Sequence, residues 1–286
     1  MTNNPFLVSC DWLSQQLDNP DVSIVDASWY LPTMLSNGSP RDGRLEFDAQ
    51  HIPGAVFFDI DDIVEPDTNL PHSLASSEIF AQKAGALGIS DADIIVVYDG
   101  FGLFSAPRAW WNFRIMGAAK TVILDGGLPA WLEHRLPIES GSTPIVPKTF
   151  NAALDHSTVT SFDAMKEIVA QSSKQIADAR PAGRFLGDEP EPRPGIRSGH
   201  MPGAYSIPFS ELADSGKLKP ATELKSVFEK SGIDLNEPIV TSCGSGVTAA
   251  ALILALETVG HKNHTLYDGS WAQWGSAADT EIVRND

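Results

Sequence analysis

The sequence predicts an α/β protein made of two similar domains, each a mainly parallel sheet with helices on both faces. Three observations predict this class: motifs that occur twice, apolar runs that end in polar residues, and helical stretches between those runs, such as 76–86 and 222–231. Strands that alternate with helices form parallel sheets that are covered on both faces. A chain of 286 residues is long enough to bury two cores.

Four motifs occur in both halves of the chain and in the same order. The pairs are Asp26 with Asp178, 51–55 (HIPGA) with 200–204 (HMPGA), 96–100 (VVYDG) with 240–244 (VTSCG), and 125–131 (DGGLPAW) with 268–274 (DGSWAQW). We therefore predict a first domain at 1–140 and a second at 158–286. A linker is expected at 141–157, in a stretch rich in Pro, Ser, Gly and Thr.

Charge and cysteine content exclude several classes of function. The chain has 37 acidic and 20 basic side chains and a formal charge of −17, which repels nucleic acids and anionic membrane surfaces. We find no secretory signal pattern and no apolar run of membrane-spanning length, so we expect a cytoplasmic protein. Of the two cysteines, Cys10 is expected to be a packing residue, and the absence of a C-x-x-C pair argues against a zinc site. A reducing compartment disfavours a disulfide between Cys10 and Cys243.

Cys243 is the main candidate for a catalytic residue. It follows an apolar strand and precedes a glycine-punctuated turn and an Ala/Leu-rich helix that opens at Thr248 and Ala249. Backbone N–H groups at such a helix N-terminus attract an anion, and cysteines in this setting ionise readily. The first half has Asp99 at the equivalent position, and a carboxylate cannot perform thiolate chemistry. Only the second domain is therefore expected to be catalytic.

The CGSGVT turn at 243–248, the DGSW motif at 268–271 and a cysteine at this turn in only the second of two similar halves carry a family resemblance. The chain resembles the tandem rhodanese-like sulfurtransferases, and most of all the 3-mercaptopyruvate sulfurtransferase family. This resemblance implies transfer of sulfur from 3-mercaptopyruvate through a Cys243 persulfide, with release of pyruvate. The acceptor would be cyanide, a small thiol or a thioredoxin-like protein, and neither a metal nor an organic cofactor would be needed.

The resemblance also implies roles for particular residues. Arginine holds a carboxylate through two parallel hydrogen bonds, and a histidine next to a hydroxyl and an acid can relay a proton. Arg184 and Arg193 match the arginines that bind the donor, whereas Arg197 has no clear counterpart. Ser245, His72 and Asp61 match a proposed proton relay, with Asp59 and Asp62 as alternatives for the acid; the remaining donor-binding positions are Gly244, Gly246, Val247 and Thr248. His51 and His200 occur in both copies of one motif, so we interpret them as structural.

Three alternatives remain in view. A thiosulfate sulfurtransferase would use the same persulfide, but its family carries basic residues after the cysteine, where this chain has the neutral Gly244 and Ser245. A phosphatase would need an arginine six positions after the cysteine, where this chain has Ala249. A non-enzymatic rhodanese-like binding module would lack a reactive cysteine in both halves.

Overall fold

The computed structural model of the chain describes residues 4–284, which form two compact units. The first unit comprises the chain up to Asp67, Leu74–Asp155 and Ser215–Leu218. The second comprises Thr68–Ser73, His156–Asp214 and the residues from Lys219 onward. The predicted α/β class is confirmed, because each unit contains a sheet in which all described strand pairings are parallel.

The two sheets have the same strand order. Within residues 4–284 each has five strands: in the first unit Leu7–Val8, Lys120–Leu124, Ile94–Tyr98, Val22–Asp26 and Val56–Phe57, and in the second Val159–Thr160, His264–Tyr267, Ile239–Ser242, Gln175–Asp178 and Ala204–Ser206. Short strands outside these sheets are Leu35–Ser36, Ser39–Pro40, Ala213–Asp214 and Lys217–Leu218. The strand order therefore repeats along with the motifs.

Helices also correspond between the units. The α-helices of the first are Cys10–Ser14, Gly43–Ala49, Ser77–Ala86, Ala106–Ile115 and Gly127–Glu133, and those of the second are Phe162–Gln171, Ala182–Leu186, Ala221–Lys230, Ala249–Thr258 and Ser270–Trp274. Short 3₁₀ helices lie at His156–Thr158 and Phe209–Glu211. In the part of the chain that is described, no helix combines the length and apolarity needed to cross a membrane.

Local sequence explains these elements. The strand Ile94–Tyr98 reads IIVVY and is buried from Ile95 onward, as a strand covered on both faces requires. Several helices begin at a Ser or Asp whose side chain accepts a backbone N–H group and so satisfies a donor that the helix cannot. These N-caps are Ser9, Asp42, Ser76 and Ser161.

The stretch predicted as a linker packs against the first unit over much of its length. Lys148 forms an ion pair with Asp93 at 2.7 Å. Phe150 is buried among the aromatic rings of Phe80 and Phe113, at centroid distances of 5.4 and 6.0 Å. The exact domain boundaries drawn from the sequence stay a prediction.

The paired histidines occupy matching environments in the two units. The Nδ1 atom of His51 lies 2.8 Å from the Phe47 carbonyl, and its ring stacks on Phe47 at 4.0 Å. In the second unit, His200 Nδ1 lies 2.8 Å from the Phe185 carbonyl, and its ring stacks on Phe185 at 3.9 Å. Both rings are buried and lock the turn that follows them, which supports a structural role.

The paired strand-end aspartates differ in one respect. Asp178 forms an ion pair with Arg180 at 2.7 Å, whereas Ser28 stands two residues after Asp26. Burial, together with the nearby Asp99 charge, raises the pKa of Asp26 to about 7, although hydrogen bonds from Ser28 and Tyr98 act against this shift. The first unit thus buries a carboxyl group without the arginine that its counterpart has.

We predict that Asp26→Asn removes a pH dependence of stability from the first unit. Because burial raises this pKa from 3.8 to about 7, the protonated form stabilises the fold fully below pH 3.8, and its contribution is lost as the pH rises through 7. At pH 8 the variant should gain about 4 kcal/mol in free energy of unfolding, and near pH 4 it should match the wild type. Urea unfolding at both pH values measures this difference.

The matched control for that measurement is Asp18→Asn, which neutralises an exposed aspartate of the same unit. A gain for Asp26→Asn that is equal at both pH values would contradict the assignment, since it would show that packing rather than ionisation sets the difference.

Candidate active site

Cys243 lies at the carboxyl end of the strand Ile239–Ser242, directly before the turn that leads into the helix Ala249–Thr258. Its side chain is buried, with 2% of its surface exposed. Gly246 adopts a φ of +81°, a left-handed conformation that favours glycine. The turn thus leads from the end of the strand to the N-terminus of the helix, where an anion is favoured.

The DGSW motif holds the cysteine backbone in place. Ser270 Oγ accepts a hydrogen bond from the Cys243 N–H at 3.2 Å and donates to the Tyr267 carbonyl at 2.9 Å. The Trp271 N–H donates to the Cys243 carbonyl at 2.9 Å. Ser270 has a positive φ of +47°, which an L-residue adopts only where its surroundings fix it. Sequence reasoning did not assign this role to Ser270.

His72 and Ser245, which are far apart in the sequence, are in direct contact. His72 Nδ1 lies 2.8 Å from Ser245 Oγ, and both side chains are buried. His72 has a φ of +56°, in the left-handed region where a non-glycine residue is uncommon. The pair can pass a proton between the hydroxyl group and the imidazole ring. Ser245 stands two residues after Cys243 in the sequence.

Asp61 belongs to the first unit, and its carboxylate accepts a hydrogen bond from the Trp29 indole at 2.8 Å. The two alternative acids have other partners: Asp62 forms an ion pair with Lys83 at 2.7 Å, and Asp59 accepts from the Asp61 N–H at 2.9 Å. The role of Asp61 in a relay stays a prediction.

Arg184 reaches the turn at Gly244. Its Nη2 atom lies 2.9 Å from the point that a Cβ on Gly244 would occupy. The buried carboxylate of Glu191 binds Arg184 Nη2 and also accepts from Nε at 3.3 Å. Arg193 is half-buried on the same segment. Arg197, in contrast, donates to the carbonyls of the chain that follows the helix Ser270–Trp274, so its role is structural.

Sequence reasoning also missed Arg180, which is 1% exposed. Burial would lower the pKa of its guanidinium group, but the charges of Asp178 and Glu191 outweigh burial and raise this pKa. Its guanidinium stacks on the Trp271 ring at 4.2 Å. The signal that could have found it is the comparison of the repeats, because the first half has Ser28 at the corresponding position.

The rhodanese-like domain model matches two segments of the chain, 9–134 and 161–277. The chain belongs to the rhodanese-like domain family. A 3-mercaptopyruvate sulfurtransferase of Rattus norvegicus is 44% identical over 284 residues, covering 97% of this chain and 94% of the relative. A mitochondrial thiosulfate/3-mercaptopyruvate sulfurtransferase of Arabidopsis thaliana is 41% identical over 303 residues, covering 98% and 78%.

The fold also agrees with a solved rhodanese-like structure. The crystal structure of SseA, a 3-mercaptopyruvate sulfotransferase from Escherichia coli, superimposes with a TM-score of 0.86 at 40% identity. The superposition covers 94% of this chain and 99% of that chain. The resemblance of this chain to tandem rhodanese-like proteins is thereby confirmed.

The first rhodanese-like unit shows what its strand-to-helix turn binds. Asp99, at the position equivalent to Cys243, accepts hydrogen bonds at 2.6–2.9 Å from the backbone N–H groups of Phe101, Gly102, Phe104, Ser105 and Ala106. Its side chain is fully buried. A turn of this design therefore surrounds an anion with backbone donors, and in the first unit the protein supplies the anion itself.

We predict that Gly244→Ala weakens donor binding with little effect on stability. The new Cβ would lie 2.9 Å from Arg184 Nη2, the far end of a flexible side chain, so the guanidinium can move away while the backbone stays in place. The free energy of unfolding, measured by thermal denaturation, should change by less than about 1 kcal/mol. The kcat/KM for the donor should fall about tenfold or more. An unchanged kcat/KM would show that the position of Arg184 beside Gly244 does not matter.

Proposed function

We propose that the protein transfers the sulfur of 3-mercaptopyruvate to a thiol acceptor through a persulfide on Cys243, and releases pyruvate. The observation that carries this proposal is the Cys243 turn, in which Ser245 hydrogen-bonds His72 at 2.8 Å next to a cysteine at a helix N-terminus. The names of the relatives from rat and Escherichia coli support the same donor.

In the first half-reaction, the Cys243 thiolate attacks the donor sulfur and forms an S–S bond. The C–S bond of the donor breaks, and its electron pair goes to the carbon that becomes the enolate of pyruvate. The proton of the donor thiol moves through Ser245 and His72 and ends on the enolate carbon. We propose that Arg184 and Arg193 bind the donor carboxylate and keto oxygen, since an arginine fork suits a carboxylate.

The persulfide on Cys243 carries a negative charge on its outer sulfur when it is deprotonated. Asp99 supports the idea that the turn stabilises this charge, because five backbone N–H groups bind its carboxylate at the equivalent place in the first unit. We propose that the backbone N–H groups of Gly244, Gly246, Val247 and Thr248 surround the outer sulfur in the corresponding way. Such preorganised donors stabilise a developing anion without reorganisation.

In the second half-reaction, an acceptor thiolate attacks the outer sulfur, takes it as a new persulfide, and returns Cys243 as a thiolate. A second thiol can then release sulfide and leave a disulfide, and cyanide would yield thiocyanate. We propose a small thiol or a thioredoxin-like protein as the acceptor, since both present a nucleophilic thiolate. A cytoplasmic location stays a prediction.

The choice of donor depends on charge. Thiosulfate is a dianion, whereas 3-mercaptopyruvate has one carboxylate. Gly244 and Ser245 add no charge to the turn, and the charge of Arg184 is balanced by Glu191 at a buried ion pair. We therefore expect a higher kcat/KM for 3-mercaptopyruvate than for thiosulfate. A preference for thiosulfate would favour the alternative donor that the name of the Arabidopsis relative includes.

The persulfide can be detected directly. After incubation with 3-mercaptopyruvate in the absence of acceptor, the intact protein should gain the mass of one sulfur atom, because the sulfur stays on Cys243. Cys243→Ser should show neither the mass gain nor pyruvate release. Cys10→Ala, which changes the other cysteine, should keep both. Pyruvate release by Cys243→Ser would disprove the mechanism, and an unchanged mass of the wild type would favour a non-enzymatic module.

The proton relay predicts different effects on the two donors. Loss of sulfite from thiosulfate requires no proton, whereas the enolate of pyruvate does. Ser245→Ala should therefore lower the rate of persulfide formation from 3-mercaptopyruvate by about 10²-fold or more, and should change the rate from thiosulfate much less. Rapid-quench mass spectrometry measures both rates.

The acid of the relay can be assigned in the same assay. Asp61→Asn should show the same selective loss of rate with 3-mercaptopyruvate as Ser245→Ala. Asp62→Asn, which removes a partner of Lys83, should keep the wild-type rates. An equal loss with both donors in Ser245→Ala would mean that the hydroxyl group only supports the turn.

A further inference from the structure

A chain of four charged side chains leads from the end of the second sheet to Gly244. Asp178, Arg180 and Glu191 have exposed fractions of 0, 1 and 2%, and Arg184 follows with 11%. Arg180 binds Asp178 at 2.7 Å and Glu191 at 2.8 Å. Glu191 in turn binds Arg184. The signs alternate along the chain, so each cation has a carboxylate neighbour and the four charges sum to zero.

Glu191 determines how the Arg184 guanidinium is oriented. Its two oxygens take the Nε and Nη2 edge of that group. Among residues 4–284, the other edge, which carries Nη1, donates no hydrogen bond. That edge has the two parallel N–H groups that a carboxylate accepts. Glu191 thus holds one edge of the fork while the other stays open beside Gly244.

Arg180 fixes Glu191 relative to the cysteine. It also donates to the Gly199 carbonyl at 2.9 Å and stacks on the Trp271 ring at 4.2 Å. The backbone N–H of Trp271 donates to the Cys243 carbonyl at 2.9 Å. Arg184 is therefore connected to the Cys243 backbone through the contacts of Glu191, Arg180 and Trp271.

The first unit contains a similar pair, in which the arginine Nη2 atom has additional partners within the unit. Arg41 binds Glu46, and its Nη2 atom also donates to the Tyr30 hydroxyl at 2.6 Å and to the Gly100 carbonyl at 3.2 Å. Gly100 is the counterpart of Gly244 in the repeat. Arg41 Nη2 thus binds the tyrosine and the Gly100 carbonyl as well as Glu46, whereas Arg184 Nη2 hydrogen-bonds Glu191 alone among residues 4–284.

We propose that Glu191 is a positioning residue for the sulfur donor: it orients Arg184 so that the open edge of the guanidinium receives the donor carboxylate next to Cys243. This inference rests on the proposed function, in which Arg184 binds that carboxylate. Arginine has a long side chain with considerable rotamer entropy, so an anchor at one edge reduces the entropy lost when the donor binds. Without Glu191, Arg180 would also repel Arg184.

A double-mutant cycle tests the proposal, with Glu191→Gln, Arg184→Gln and the double variant. Glu191→Gln should lower kcat/KM for 3-mercaptopyruvate by about 10- to 100-fold, chiefly through KM. If Glu191 acts through Arg184, adding Glu191→Gln to Arg184→Gln should cause less than about a twofold further loss. Discharge of a persulfide preloaded from thiosulfate to cyanide should keep its rate in Glu191→Gln, since no donor carboxylate takes part.

Glu189→Gln is the matched control, because it removes an exposed carboxylate two residues earlier and should retain the wild-type kcat/KM. If Glu191→Gln does not fold, Glu191→Asp replaces it in the cycle, since its shorter side chain keeps the charge but cannot reach both arginines. Wild-type kcat/KM in the variant, or an equal loss in the Arg184→Gln background, would overturn the proposal. Absence of pyruvate release by the wild type would instead refute the proposed function.

Discussion

Backbone N–H groups at the start of a buried helix are best satisfied by an anionic acceptor. The two units differ in the side chain that occupies this position, and much of the molecule follows from that difference. In the first unit the anion is Asp99, whose two oxygens accept five such hydrogen bonds. Leaving buried donors without acceptors costs about 1–3 kcal/mol each, so this carboxylate is integral to the fold of the turn. In the second unit the same position holds Cys243, and a thiol is a weak acceptor. The turn is thus better matched to an anionic sulfur than to a neutral thiol.

The duplication separates what the fold requires from what the chemistry requires. His51 and His200 make the same carbonyl contact and the same ring stack in both units, as expected of residues that hold a turn. Cys243 and Arg180 have no chemical equivalent in the first half, where Asp99 and Ser28 stand instead. An arginine beside the glycine of the turn occurs in both units, but Arg41 Nη2 also donates to Tyr30 and Gly100, whereas Arg184 Nη2 hydrogen-bonds Glu191 alone among residues 4–284. Residues that differ between the copies therefore mark the site more reliably than residues that repeat.

The sequence was sufficient to predict the parallel α/β architecture and the duplication, because both follow from local patterns that recur in order along the chain. It also predicted that Cys243 lies between a strand and a glycine-rich turn at the start of a helix, since that is a local signal; its catalytic role stays a prediction. The contact between His72 and Ser245 was reached only through family resemblance, because no periodicity links residues so far apart in the chain. The sequence assigned no role to Glu191, because its burial between two guanidinium groups is a tertiary property. The segment Thr68–Ser73 was likewise assigned to the first half, whereas it packs with the second unit.

Charge balance explains why a monoanionic donor suits this site. The four charges from Asp178 to Arg184 cancel, so the open edge of Arg184 offers directional hydrogen bonds rather than a large net positive potential. A donor with a second negative charge would bring one unit charge more than a monoanionic donor brings. At an effective dielectric of about 20, a pair of like charges roughly 5 Å apart costs about 3 kcal/mol, which corresponds to a factor of about 10² in affinity. Basic side chains after the cysteine would offset that cost, but Gly244 and Ser245 cannot, and Arg184 lies where a side chain on Gly244 would begin. The absence of a side chain at Gly244 leaves room for Arg184, and the ion pair with Glu191 neutralises the charge of Arg184. Shape and charge thus favour the same class of donor.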